Sequence, residues 1–117
     1  MKHIIYINEA GASVAAKIQA ELKDFRITSI RDFDGKFFND SEALIFIGAL
    51  GVCVRMIAPY ITDKHTDPGV VCVDSAGHNV ISVLSGHVGG ANALCSEVAR
   101  ILGAYPVITT QSDNTGY

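Results

Sequence analysis

The sequence predicts an α/β fold: three layers, with a largely parallel sheet between flanking helices and one β-hairpin. Three observations point there. Short apolar runs rich in β-branched residues alternate with segments whose apolar residues recur every three or four positions. Such alternation is the pattern of helices crossing over between parallel strands. Late in the chain, two apolar runs are separated only by Asp74-Ser75-Ala76-Gly77-His78, so that pair reads as a hairpin.

His3 to Ile7 is the first strand, apolar enough to be buried on both faces. Asn8 to Gly11 reads as a turn. An amphipathic helix is expected from Ala12 to Phe25, with Ser13 near its start and Val14, Ile18, Leu22 and Phe25 on its inner face. Arg26 to Asp40 is ambiguous: Ile27 to Ile30 suits a short strand and Asp34-Gly35 a turn. Ala43 to Ile47 is a buried strand. After Gly48-Ala49-Leu50-Gly51, an apolar helix is expected from about Leu50 to Ala58, because Pro59 biases the residue before it away from helix. Thr62 to Gly69 is a polar loop. Val70 to Val73 and Asn79 to Val83 are the hairpin strands. Ser85 to Gly90 is a second glycine-rich corner, followed by a helix from Ala91 to Leu102 that Gly103 ends. Tyr105 to Ile108 is the last strand, and the remainder to Tyr117 is polar. The whole reads as one α/β domain, 1–117. Its stop just after a strand, without a closing helix, is the pattern expected of a piece of a longer protein, or of a domain that simply ends on a strand.

Hydrophobic residues make up 49% of the 117 residues and charged residues 18%, enough to fill one core. The net charge of −3 gives no electrostatic reason to expect nucleic acid, and the chain has no Trp for base stacking. Cys53, Cys72 and Cys95 are odd in number, unpaired in spacing and set in apolar runs, so they read as buried thiols in a reducing compartment. No charged-then-apolar leader opens the chain, and no apolar run approaches roughly 18 residues. The expectation is a cytoplasmic protein with no membrane partner, and a homodimer is compatible with it.

Three segments follow apolar strands: Gly48 to Gly51, Ser85 to Gly90, and Thr109 to Asp113. If their strands are parallel and adjacent, all three face one crevice at the strands' carboxyl ends, where α/β sheets bind ligands. Two of them lead into helices, whose first N–H groups favour an anion. Either corner is equally consistent with a tight turn that binds nothing. His87 is placed to move a proton, or is a loop histidine bonded to a carbonyl. Arg55, the only charge between Ile47 and Ile61, would hold a carboxylate bidentately, pair with a protein acid, or reach to water. Asp113 reads as a base or polar anchor, or as a turn residue. Lys64 lies in a charged loop with Asp63, His65 and Asp67, which would otherwise be a solvated surface. His3, His65, His78 and His87 lack zinc spacing, so no metal site is expected. The glycine spacing fits neither a dinucleotide fingerprint nor a phosphate loop. Val83 spoils a serine-hydrolase elbow around Ser85.

Together, the residues from Ile45 to Asp113 resemble the N-terminal domain of the cobalt-precorrin-5A hydrolase family of anaerobic cobalamin (vitamin B12) biosynthesis. The resemblance rests on Gly48-Ala49-x-Gly51 before Val54-Arg55 and Ala58-Pro59, then Asp63-Lys64, Asp67-Pro68 and Val73-Asp74. It continues through Leu84-Ser85-Gly86-His87-x-Gly89-Gly90-Ala91-Asn92 and Pro106-Val107-Ile108-Thr109-Thr110 with Asp113. The block from Leu84 to Asn92 is its most specific part. The resemblance implies opening of a δ-lactone on a cobalt-bearing tetrapyrrole with release of acetaldehyde, giving cobalt-precorrin-5B. The metal then belongs to the substrate, no cofactor is expected, and further domains of the same protein complete the enzyme. A non-catalytic tetrapyrrole-binding or domain-docking module is the alternative. Residue roles follow from side-chain chemistry and not from the resemblance. His87 is the candidate base, oriented by Asp113. Gly48, Gly51, Arg55, Lys64, Ser85, Gly86, Gly89, Gly90, Asn92 and Thr110 are the candidate substrate-binding set, with the amides of Gly89 and Gly90 holding an oxyanion or a carboxylate.

Overall fold

A computed structural model describes residues 1–110. In chain order its elements are β1 (Lys2–Tyr6), α1 (Glu9–Gln19), β2 (Phe25–Ser29), α2 (Gly35–Asn39), β3 (Ala43–Ile47), α3 (Leu50–Ile57), β4 (Gly69–Val73), β5 (Asn79–Leu84), α4 (Ala91–Leu102) and β6 (Tyr105–Val107). They build a six-stranded sheet in the order β2-β1-β3-β4-β5-β6. The first four strands in sequence run parallel, β5 runs antiparallel to β4, and β6 runs parallel to β5.

The central strands are apolar at every position because both faces of the sheet are covered. Ile45, Ile47, Val71 and Val73 point to one face, where α1 and α4 bring Val14, Ile18, Cys95 and Val98. Leu44, Phe46, Val70 and Cys72 point to the other, against Phe38 of α2 and Cys53 and Ile57 of α3. Period-two alternation along each strand thus divides the core into the two clusters of a three-layer fold. All three cysteines are buried and free.

Two expectations need correction. The first helix begins at Glu9 and ends at Gln19, rather than running from Ala12 to Phe25. Asn8, read as part of a turn, is its N-cap, and its side-chain oxygen accepts from Gly11 N at 3.0 Å. Leu22 and Phe25 continue the helical spacing by coincidence. Leu22 packs on the core from the turn after α1, and Phe25 opens β2. In the second case, Asp34-Gly35 opens α2 instead of making a turn, with the Asp34 carboxylate capping Phe37 N at 2.8 Å.

The hairpin between β4 and β5 is as expected, and its turn is built around Asp74. That carboxylate accepts from the backbone N–H of Asn79 at 2.6 Å, His78 at 3.0 Å and Ala76 at 3.2 Å. Gly77, at φ +73°, closes the turn by donating to the Asp74 carbonyl at 2.8 Å. Partial burial acts to raise the Asp74 pKa, but the three backbone donors, with His78, outweigh it and hold the carboxyl below its ordinary value. Ionised Asp74 therefore stabilises the fold at neutral pH, and this contribution is lost as pH falls through the depressed folded-state value. Asp74→Ala is expected to lower stability by about 1–3 kcal/mol near neutrality. Its deficit relative to the unaltered chain should narrow as pH falls below about 4. Urea unfolding across that range checks both the size and the sign.

Candidate functional site

The strand directions decide which candidate residues can meet. β3 ends at the carboxyl edge of the parallel strands, so Gly48 to Gly51 lie there. Because β5 is reversed and β6 follows it, Ser85 to Gly90 and Thr109-Thr110 emerge at the opposite, amino edge. The single crevice expected from three parallel strands therefore does not form. Gly48 and Gly51 are separated from the second corner by the height of the sheet. Arg55 is exposed on α3 and does not line the cavity described next. Gly48 faces the Ile7 side chain, which a Cβ there would approach to 2.9 Å, so Gly48 is buried while Ala49 to Gly51 are exposed.

At the amino edge, a cavity of about 340 Å³ is lined by Lys64, Ser85, Gly86, His87, Val88 and Thr110. Three loops that are distant in sequence thus bring a cation, an imidazole and a hydroxyl together. Asp67 holds the first of these loops. Asp67 is 7% exposed, and its carboxylate accepts from Thr62 N, Asp63 N and Thr62 Oγ1 at 3.0–3.2 Å. Lys64 is thereby carried on an anchored loop. His87 and Val88 are exposed at the cavity wall. Asp113 lies outside the described residues.

The Ser85–Gly90 corner is wound tightly onto the start of α4. The Ser85 carbonyl accepts from Gly89 N at 3.1 Å and Ala91 N at 3.2 Å, and the Gly86 carbonyl accepts from Asn92 N at 3.0 Å. Gly90 N donates to the His87 carbonyl at 3.3 Å. The amides of Gly89 and Gly90, expected to hold an anion, are thus committed within the loop. Among the described residues, the N–H groups of Gly86 and Val88 donate to nothing. Ser85 sits at φ +58°, a strained conformation for a residue with a Cβ. Its hydroxyl is buried with no partner among the described residues. Gly86 and Gly89 are required by close approach. A Cβ on Gly86 would lie 2.7 Å from Asn92 Oδ1, and one on Gly89 would lie 2.6 Å from Ser85 Cβ.

Asn92 was expected to touch substrate, but it is buried beneath the corner. It accepts from Ser82 Oγ at 2.6 Å and donates from Nδ2 to Thr110 Oγ1 at 3.0 Å. It ties β5, α4 and the exit of β6 together, and so positions Thr110 and Gly86 for the cavity. Ser82 was not singled out from the sequence, and Asp67 was noted only in the charged loop and in the Asp67-Pro68 part of the resemblance, without the anchoring role it has. Ser82 had a signal, a lone hydroxyl on the inward face of an otherwise apolar strand. For Asp67, nothing local distinguishes an anchoring carboxylate from the other acids of a solvated loop.

A second cavity, of about 330 Å³, lies across Gly89-Gly90 and is lined by Lys2, Asp24 and Glu42 among others. Its one cation is already paired with Asp24 at 3.0 Å, so it suits an anion poorly. Among the described residues, no group of three or more His, Cys, Asp or Glu is placed to hold a metal, and no helix is long and apolar enough to cross a membrane.

The model of the family described as "Cobalamin synthesis G N-terminal" matches residues 33–113, more than half of the chain. The chain belongs to that family. The cobalamin synthesis G N-terminal match contains the whole corner and the loop bearing Lys64. A cobalt-precorrin-5A hydrolase from Priestia megaterium is 58% identical over 85 residues, covering 73% of this chain and 23% of that protein. One from Salmonella typhimurium is 54% identical over 88 residues, covering 69% and 25%. The solved structure of a cobalamin biosynthesis protein G homologue from Sulfolobus solfataricus superposes with a TM-score of 0.80 at 29% identity, covering 92% of this chain and 36% of that one. The chain thus spans about a quarter of the length of these curated relatives.

The two corners respond oppositely to one substitution. Gly86→Ala forces a methyl onto Asn92 and Thr110 and is expected to cost about 1–3 kcal/mol. Gly51→Ala meets nothing within 4 Å and lies in a helix, so it should be neutral or stabilise by up to about 1 kcal/mol. Thermal unfolding of the two variants tests the contrast.

Proposed function

We propose that this domain supplies part of the tetrapyrrole site of a cobalt-precorrin-5A hydrolase, and that the amino-edge cavity receives a carboxylate-bearing edge of the substrate. The observation that carries this reading is the convergence of Lys64, His87 and Thr110 on one cavity, beside two N–H groups without acceptors among the described residues. Lys64 supplies the charge for a peripheral carboxylate. Gly86 N and Val88 N take the place first assigned to Gly89 and Gly90, as donors to a carboxylate or to the oxyanion of lactone opening. His87, at the wall, is the candidate to take a proton from the attacking water.

At about 340 Å³ the cavity admits one edge of a tetrapyrrole and not the whole macrocycle, so the rest of the site falls to the remainder of the longer polypeptide. The cobalt arrives with the substrate, and no protein cofactor is proposed. Such an enzyme would act in the cytoplasm. The internal commitment of the Gly89 and Gly90 amides favours a second reading, in which this domain binds the tetrapyrrole and the hydrolytic groups lie elsewhere.

Anaerobic incubation of the chain with cobalt-precorrin-5A, following absorbance and acetaldehyde, separates these readings. Acetaldehyde lost in His87→Ala supports catalysis here. A spectral shift without acetaldehyde supports the binding reading. No change in either overturns the proposed site. In both surviving cases, Lys64→Ala should weaken binding about tenfold, or about 1.4 kcal/mol, with a smaller effect at high salt.

A further inference from the structure

We propose that the outer side of α3 is the surface on which the remainder of the longer hydrolase polypeptide docks. This rests on the family membership and not on the reaction proposed above.

The helix Leu50–Ile57 reads LGVCVRMI, with Arg55 its only charge, yet only Cys53 and Ile57 are buried. A helix that is apolar on all sides is normally surrounded by protein. Here Leu50, Val52 and Val54 are exposed by 40%, 41% and 45%. Leu50 and Val54 stand one turn apart on the same side. Ile7, 41% exposed and in reach of Gly48, extends the patch across the corner that leads into the helix. The helices on the opposite face differ. The outer sides of α1 and α4 carry Ser13, Lys17, Ser96 and Arg100, which suit water.

Two observations select the occupant. The matched segments make up only 23–25% of the curated relatives, so most of such a polypeptide lies outside this domain and needs a surface to pack on. A second copy fits less well. Arg55 is exposed and forms no ion pair among the described residues. Two-fold pairing of this patch would bring one Arg55 towards another as the patch is desolvated. A partner that covers Arg55 must instead offer a carboxylate, because a guanidinium stripped of water without one is costly. The docking surface therefore fits an apolar face bearing an Asp or Glu opposite Arg55.

The test mixes this chain with the Priestia megaterium hydrolase lacking its counterpart of residues 1–117, and follows binding by calorimetry. Binding is expected. Val54→Asp and Arg55→Glu should each weaken it tenfold or more, and Tyr105→Asp, on the far edge strand, should leave it unchanged. Both α3 side chains are exposed, so thermal unfolding of each variant alone should match the unaltered chain and exclude misfolding as the cause. Absence of binding, or binding that neither α3 change weakens, overturns the proposal. So does sedimentation of this chain alone as a dimer that Val54→Asp dissociates, which would assign the face to a second copy.

Discussion

The reversal of the chain at Asp74–Gly77 is the constraint on which the rest of the arrangement depends. Four parallel strands precede it, and both later strands run the other way. A right-handed crossover from β4 would have delivered the next corner to the carboxyl edge, beside Gly48. A five-residue turn cannot make that crossover. It returns the chain to the amino edge, and every later polar segment follows. The turn held by the Asp74 carboxylate thus brings the Ser85–Gly90 corner to the edge where the loop bearing Lys64, entering parallel β4, already lies.

Beneath the cavity, rigidity comes from close packing more than from charge. Ser85 adopts a strained backbone angle, and Gly86 and Gly89 have no room for a side chain. The loop's own carbonyls cap α4, which holds the corner at the cost of the anion-binding amides that the start of α4 would otherwise offer. Asn92 reaches up from the first turn of α4 and joins Ser82 to Thr110. What faces the cavity is therefore a thin layer of Ser85 to Val88, backed by a hydrogen-bonded floor. Lys64 reaches this layer on a separate loop, anchored by a buried Asp67.

Much of the fold was legible because its signals are local. The β-branched runs at Ile45 and Val71 have few other uses than a doubly covered strand, and Gly103 ends α4 as its position promises. The errors in the first helix arose where two physical causes leave the same trace. Leu22 and Phe25 keep the three- and four-residue spacing, yet they serve a turn and a strand. Asn8 and Asp34 were read as turn residues, and their side chains instead start helices. Of the site, Lys64, Ser85, Gly86, His87 and Thr110 were singled out and do converge. Gly48 and Gly51 were grouped with them on a parallel orientation that the hairpin removes, and Arg55, chosen as a lone charge on an apolar helix, lies exposed outside the cavity.

The sequence by itself determined the elements, the two-sided core and the corner whose residue pattern resembles one family. These depend on neighbours a few residues apart, and periodicity and turn chemistry record them. Only the tertiary structure decided which edge each corner occupies, which amides are already committed, and that Asn92 supports the site from below. Those outcomes depend on strand direction and on hydrogen bonds between segments 10 and 18 residues apart, such as Ser82 to Asn92 and Asn92 to Thr110. No local pattern encodes whether a polar side chain near a glycine corner points into a cavity or into the floor beneath it.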